Sequence, residues 1–462
     1  MANKVTSVQC SEVLDTNRFE PKMYIFQSIL KNSKKRYSFI EIDKIATAIN
    51  RGQSPKPKAY RDKNNGKYIF IRTADVKKYQ FNTETAVYLD ENIFSTQKPN
   101  RITKNDILIS VVGNYLGSTS VVPHNIEIGA FNDNSARIRL TDENISPYYV
   151  SAFFNSVFGQ KLIQSLVTRT GQKILSAGNV KRLSLPIIND KNIIANYEKA
   201  SSNGVIANQL ITQAQQLFYS RIGIDFKTIA KENTFSVCKS DFVNADLWIP
   251  MYSYPLYVNT LKAIQRKWQT ITIGEIADLK KGDEVGSNTY IGYLDKKESD
   301  VPFVRTSDIV NYEIDQYPDF FIPKEIYEEL GQDITIGDIL FTNDGKIGQV
   351  GIVTKYDKFI LQSHIKRIRL NKTAKDLGLS PEYVFLALTI KEIGIYQAKR
   401  YTVIQSTIPT MANNLVKVEI PILNKETISE ITDLVKRAFQ LKDEKKRLIA
   451  EVREIMDGYF EL

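Results

Sequence analysis

Two stretches of this chain combine arginine, glutamine and hydroxyl side chains in a way suited to reading nucleobase edges. One holds Arg169, Thr170, Gln172 and Lys173; the other runs Arg400-Tyr-Thr-Val-Ile-Gln405. An arginine fork matches the two acceptors on guanine, and a carboxamide matches the acceptor and donor on adenine. A third stretch, with Lys56, Lys58, Arg61, Lys63 and Lys67 among turn-forming residues, fits phosphate tracking or groove entry. Glycine turns supply further candidates: Asn114 and Tyr115 in Gly113–Gly117, and Asn343 and Lys346 around Gly345–Gly348. Asp344-Gly-Lys346 itself reads first as a tight turn. Lys280 and Lys281 form a local basic pair, as do Lys399 and Arg400. Lys366-Arg367-x-Arg369 is a further cluster. Arg72 and Arg305 recur in matched surroundings, which points to framework or phosphate contact rather than base reading.

Catalytic constellations are missing. Cys10 and Cys238 give no disulfide framework and, with only His124 and His364, too few ligands for a zinc site. The histidines fall at unmatched positions and read as structural. No Asn/Asp-Pro-Pro-Tyr/Phe motif for amino-methyl transfer occurs, and no Gly-x4-Gly-Lys-Ser/Thr loop. Glu444-Lys-Lys446 superficially fits a nuclease Glu-x-Lys but is expected on the exposed face of a heptad helix. Neither a long apolar run nor a signal peptide is visible, so a cytoplasmic, non-membrane protein is expected.

The net charge of +10 favours a polyanionic partner, and its distribution is uneven. Residues 34–186 hold 23 Lys/Arg against 12 Asp/Glu, whereas residues 266–421 hold 20 against 22. Any polyanion on the second region must therefore meet local clusters.

What positions these residues is a duplication. Thr103-Lys-Asn-Asp-Ile-Leu-Ile-Ser-Val-Val-Gly113 returns as Thr335-Ile-Gly-Asp-Ile-Leu-Phe-Thr-Asn-Asp-Gly345, 232 residues later. Phe70-Ile-Arg-Thr-Ala-Asp75 returns as Phe303-Val-Arg-Thr-Ser-Asp308, and Ser146-Pro-x-Tyr-Val150 as Ser380-Pro-x-Tyr-Val384. Even Ser7–Ser11 and Phe19-x-Pro21 recur at Ser236–Ser240 and Trp248-x-Pro250. A collinear repeat of this length is two copies of a domain, not a solenoid unit. Short Val/Ile/Phe/Tyr-rich strands are expected at Tyr68–Arg72, Asp106–Val112 and Ser118–Val122, with a helix opening at Pro147. The fold class is mixed α/β (α+β) in two pseudo-symmetric domains.

After each closing Pro-Ile step the period changes to seven. Ile431, Ala438, Lys445, Val452 and Tyr459 recur in step with Leu434, Leu441, Leu448 and Ile455. Ala207, Leu210, Ala214 and Leu217 carry a weaker version, loosened in the middle by Ser201–Gly204. The simplest partner for each helix is the other. A helix of about 35 residues is roughly 50 Å long, longer than the roughly 34 Å of one B-DNA turn. The boundaries follow: residues 1–34, a first domain at 35–188, a helix at 189–225, a linking segment at 226–265, a second domain at 266–422 and a second helix at 423–462.

Taken in order, these motifs resemble the specificity (S) subunit of type I restriction–modification systems, over essentially the whole chain. The resemblance is carried by Gly337-Asp-Ile-Leu340, by the glycine turns, and by Ile420-Pro-Ile422; the first copy departs to Asn105 and to Leu185-Pro-Ile. It implies two target-recognition domains, each reading half of a split, asymmetric DNA site. It also implies that the helices pair as an antiparallel coiled coil that spaces the domains and docks two methyltransferase subunits, with restriction subunits joining that core. The implied cofactor, S-adenosylmethionine, belongs to the methyltransferases, and this chain is implied to be non-catalytic. The segments Ser7–Tyr24 and Ser236–Tyr252 equally fit a specificity partner of a type IIB-like or other phage-defence methyltransferase. A protein scaffold that reads no DNA is the alternative of a different class. The family implies a bacterial or archaeal source.

Overall fold

The computed structural model describes residues 21–113, 116–167, 173–232, 234–243, 245–285, 300–405 and 407–460. The chain divides into two compact units, residues 1–205 with 445–462, and residues 206–444. Each long helix therefore contributes one part to each unit.

In the first unit, Ala46–Arg51, Ser135–Leu140, Ile107–Ser110 and Thr119–Val121 form an antiparallel sheet in that order. A second sheet runs Val87–Leu89, Tyr68–Ile71, Gly129–Phe131, Arg101–Ile102, with its middle pair parallel. Ile107–Ser110 is buried on both faces, which is why it reads as a continuous apolar run rather than an alternation. The helix Pro147–Asn155 starts where proline costs nothing, and Ser146 Oγ accepts from the Tyr148 amide. A sharp corner follows: a β-carbon at Gly159 would lie 2.0 Å from the Phe153 carbonyl oxygen. The last described residues close this unit. Phe460 stacks on Phe158 with centroids 4.2 Å apart, and Asp457 accepts from the Val157 amide at 2.8 Å.

The second unit repeats this plan. Ala277–Lys281, Ile365–Leu370, Ile339–Thr342 and Val350–Ile352 form its antiparallel sheet in that order. Val301–Val304 again runs parallel to its neighbour, Ile360–Leu361. Ser380 caps the helix Pro381–Thr389, and a β-carbon at Gly394 would lie 1.8 Å from the Leu388 carbonyl oxygen. Tyr149 Oη donates to the Pro186 carbonyl in one unit and Tyr383 Oη to the Pro421 carbonyl in the other.

Matching reaches single backbone torsions. Asp106 accepts from the Thr103 amide and from Arg139; Asp338 accepts from the Thr335 amide and from Arg369. Between them, Gly337 has φ +91° and Asn105 φ +71°. The departure to asparagine thus keeps the required left-handed turn, which asparagine tolerates better than other residues with a β-carbon. Tyr79 and Tyr312 share a left-handed φ of 66°.

The long helices span Lys191–Ile222 and Lys425–Gly458. The first passes through Ser201–Gly204 without a break, a correction to the expected loosening. Gly204 has a packing reason, since a β-carbon there would come within 3.3 Å of the Lys445 stem. The most buried face also differs from the expected seam. Ile431, Ala438, Lys445 and Val452 are buried as expected, but their companions are Val435, Lys442, Ile449 and Met456. Leu434, Leu441 and Ile455 are half-buried on the flank, and Leu448 is buried. In the first helix Ala207, Leu210 and Ala214 are buried, whereas Phe218 takes the core position beside half-buried Leu217. The reason lies within the second unit, where segments of both helices share one core with Tyr383 and Phe385. A helix that meets both a domain and another helix buries a wider stripe than a two-helix seam. In that unit Asn208 meets Lys442 and Arg221 meets Glu430, so the two segments run in opposite directions. Glu444-Lys-Lys446 is also corrected: Lys445 and Lys446 are buried, the latter only 2% exposed.

Candidate nucleic-acid interface

In the second unit, Val403–Gln405 and Ile408–Thr410 pair as a two-stranded antiparallel ribbon. Two short β-branched runs flank its polar turn, a local pattern that suits a hairpin. Its foot is built on the glycine turn after Ile339–Thr342. The Gly345 amide donates to the Pro409 carbonyl at 2.8 Å, and the Met411 amide to the Asn343 carbonyl at 3.0 Å. Thr410 Oγ1 donates to Asp344 Oδ1 at 2.5 Å, and His364 Nδ1 lies 2.9 Å from Asp344 Oδ2. Gly345 has φ +70°, so Asp344-Gly-Lys346 is indeed a tight turn. Ala412 is left-handed at φ +48°, and its carbonyl accepts from Lys366 Nζ at 2.5 Å and from Asn343 Nδ2 at 3.3 Å.

Electrostatics at the foot follow from burial and partners. Burial opposes ionisation of Asp344, but hydrogen bonds from Thr410, His364 and Asn343 outweigh it and hold the carboxyl below its ordinary range. Burial lowers the Lys366 amine; Asp344 pulls it back up, and Lys281, its cross-strand partner, lowers it again. Lys280, Lys281 and Lys346 are exposed around the same sheet edge and turn.

The candidate residues separate into groups. Lys56, Lys58 and Lys63 are exposed on turns of the first unit. Their neighbours are engaged: Arg61 pairs with Asp90 at 3.2 Å, and Lys67 with Glu91 at 3.1 Å. Arg72 pairs with Asp75 and donates to the Thr85 carbonyl; Arg305 pairs with Asp308 and Asp319 and covers the Phe320 ring. Both arginines are framework groups that hold one turn in each domain. Arg400 donates to the Tyr252 carbonyl at 2.9 Å and lies over the Tyr252 ring, which ties it to the segment before the second domain. Asn343 is buried in the ribbon's foot. Lys173 is exposed, while Asn114, Tyr115, Arg169, Thr170 and Gln172 lie outside the described residues, as does the N-terminal repeat Ser7–Phe19. Gln405 is placed on the ribbon by its backbone.

Sequence reasoning missed Ile404 and Ile408, which the ribbon exposes, and the Asp344–His364 pair beneath it. The β-branched residues on either side of the polar turn, Val403-Ile404 and Thr407-Ile408, were the available signal. His364 had none, because its partner is 20 residues away. The first unit attaches its corresponding segment the same way. Val112 bridges Ile174, and the Leu175 amide donates to the Val111 carbonyl at 2.9 Å. The attachment is common and the side chains on it are not.

Two units thus share a framework, the architecture of a duplicated domain. Residues 265–451 match the type I restriction modification DNA specificity domain. The first half repeats that framework, so the chain is similar to the specificity subunit (HsdS) of type I restriction–modification systems. In those systems that subunit is the non-catalytic one. Among solved structures, the S subunit of a type I system from M. genitalium aligns at 12% identity, covering 92% of this chain and 96% of that one, with a TM-score of 0.32. The HsdS subunit from Thermoanaerobacter tengcongensis aligns at 12% identity, covering 92% and 95%, with a TM-score of 0.27. No curated protein matches the chain. Among the described residues, no helix is long and apolar enough to cross a membrane.

Proposed function

We propose that this chain is the DNA-specificity subunit of a restriction–modification complex. Each half reads one part of a bipartite, asymmetric site. The long helices run antiparallel as a spacer and dock two methyltransferase subunits, which bring S-adenosylmethionine; restriction subunits join that assembly. The observation that carries this reading is the contrast between halves. Framework contacts such as Asp106–Arg139 and Asp338–Arg369 repeat, whereas Val112–Ile174 and Asp344–Thr410 occupy the same bridge with unlike chemistry. A frame that repeats while its outer residues diverge suits two readers of different sequences.

The test is a genome-wide methylation map of the complex assembled with its methyltransferase subunits. A split motif is expected. Exchanging residues 35–188 for another recognition domain changes one half of it and leaves the other. Inserting a heptad-compatible turn near Gly204 alters the spacing. Absence of any sequence preference, or methylation or cleavage by the chain alone, overturns the proposal.

A further inference from the structure

The ribbon Val403–Thr410 exposes apolar side chains that no framework role requires. Ile404 is 76% exposed and Ile408 47%. In the ribbon's register Ile404 faces Pro409 while Ile408 faces Gln405, so the two isoleucines project from opposite faces. A ribbon that shows apolar groups on both faces stands clear of its domain. Its foot, by contrast, is fixed by the Gly345, Thr410 and Met411 hydrogen bonds and by the left-handed Ala412 that Lys366 and Asn343 hold.

Lysines surround that foot. Lys281 and Lys366 are cross-strand partners, and Lys346 follows Gly345. The one carboxylate in the turn, Asp344, is engaged by Thr410 and His364. A second observation points to a ligand: Asn343 is 4% exposed, yet its Oδ1 has no hydrogen-bond partner among the described residues. An acceptor buried without a donor costs free energy unless an incoming group supplies one.

We infer that this ribbon enters the DNA major groove, where Ile404 and Ile408 pack against thymine methyl groups while exposed Lys281 and Lys346 at its foot meet the flanking phosphates. The major groove admits a two-stranded ribbon, and the thymine methyl is the apolar feature that base pairs present there. β-Branched isoleucines hold few rotamers, so little entropy is lost when they pack. The inference rests on the function proposed above and assigns the second half's base discrimination to named residues.

The experiment uses the complex with its methyltransferase subunits and duplexes carrying the mapped motif. Thymines in the second half-site are replaced by deoxyuridine, which lacks only the methyl group. Wild type is expected to bind each substituted duplex about fourfold more weakly per contacted methyl, the value of one buried methyl-sized group. The Ile404→Ala/Ile408→Ala variant is expected to bind thymine and uracil duplexes equally. Its unfolding midpoint should match wild type, because both side chains are exposed in the folded chain. Equal sensitivity of wild type and variant to uracil overturns the inference, as does a wild type indifferent to uracil, the result expected of a minor-groove wedge. Either result in a complex that still shows a split motif leaves the proposed function standing. A complex with no motif removes both.

Discussion

The hairpins Val76–Phe81 and Ile309–Ile314 each meet a lysine of the second long helix, at matched positions with different partners. In the first unit Lys445 donates to Gln80 at 2.8 Å. In the second, Lys442 donates to the Asn311 carbonyl at 2.8 Å and to Asn208 at 2.9 Å, with Glu313 3.9 Å away. The Lys442 and Glu313 side chains are each 1% exposed. Lys445 keeps some contact with water, with 9% of its surface exposed, and one of its partners is a carboxamide oxygen. A fully desolvated ammonium needs a counter-charge, since the cost of burying an ion is repaid only by a close partner and further hydrogen bonds. The second long helix thus sends a lysine to a carboxamide in one unit and to a buried carboxylate in the other.

That contrast gives the largest expected effect. Lys442→Met removes a fully buried ammonium from beside Glu313 and should cost about 3–5 kcal/mol in urea unfolding. Lys445→Met should cost about 1 kcal/mol. The double variant Lys442→Met/Glu313→Leu should recover most of the loss; equal costs for the two single lysine variants would erase the distinction. Next come the corners where the halves agree. Gly159→Ala and Gly394→Ala each drive a methyl into a carbonyl and should each cost about 3 kcal/mol, whereas a tolerated alanine at either site would break the equivalence.

Smaller effects test the asparagine-for-glycine exchange. Gly337→Ala should lower stability by about 1 kcal/mol and Gly337→Asn by less, with Asn105→Gly near neutral. The smallest effect concerns the ribbon's foot. Asp344 has a folded pKa below its ordinary 3.8, so the ionised form adds stability above that value. The contribution disappears as pH falls through the lower folded value. Asp344→Asn should therefore flatten the loss of unfolding midpoint between pH 6 and pH 3, and an unchanged slope would show that Thr410 and His364 do not hold the ionised form.

Much of the framework is legible in the sequence. Tyr68–Ile71, Ile107–Ser110, Thr119–Val121 and the helix at Pro147 follow from local signals, apolar runs bounded by turns and a proline at the first helical position. The left-handed position shared by Asn105 and Gly337 falls where the Gly-Asp-Ile-Leu motif departs to asparagine in the first copy. The candidate site was less legible. Arg400 carries the chemistry of a base reader, yet the Tyr252 carbonyl and ring in its own unit occupy it, whereas Arg72 and Arg305, read as framework or phosphate contacts, pair with Asp75 and Asp308. Composition cannot distinguish an arginine that meets a partner molecule from one that meets its own fold.

By itself the sequence determined the duplication and several of the strands and turns in each copy, because these depend on residues a few positions apart. Tertiary structure alone decided that residues 445–462 complete the first unit, with Phe460 on Phe158, and that the heptad helix turns Lys442 and Lys446 inward. It also decided that Asp344, His364 and Thr410 would meet beneath an exposed ribbon. Those outcomes depend on contacts between residues far apart in the chain, where the entropy of loop closure is offset only by the whole assembled core.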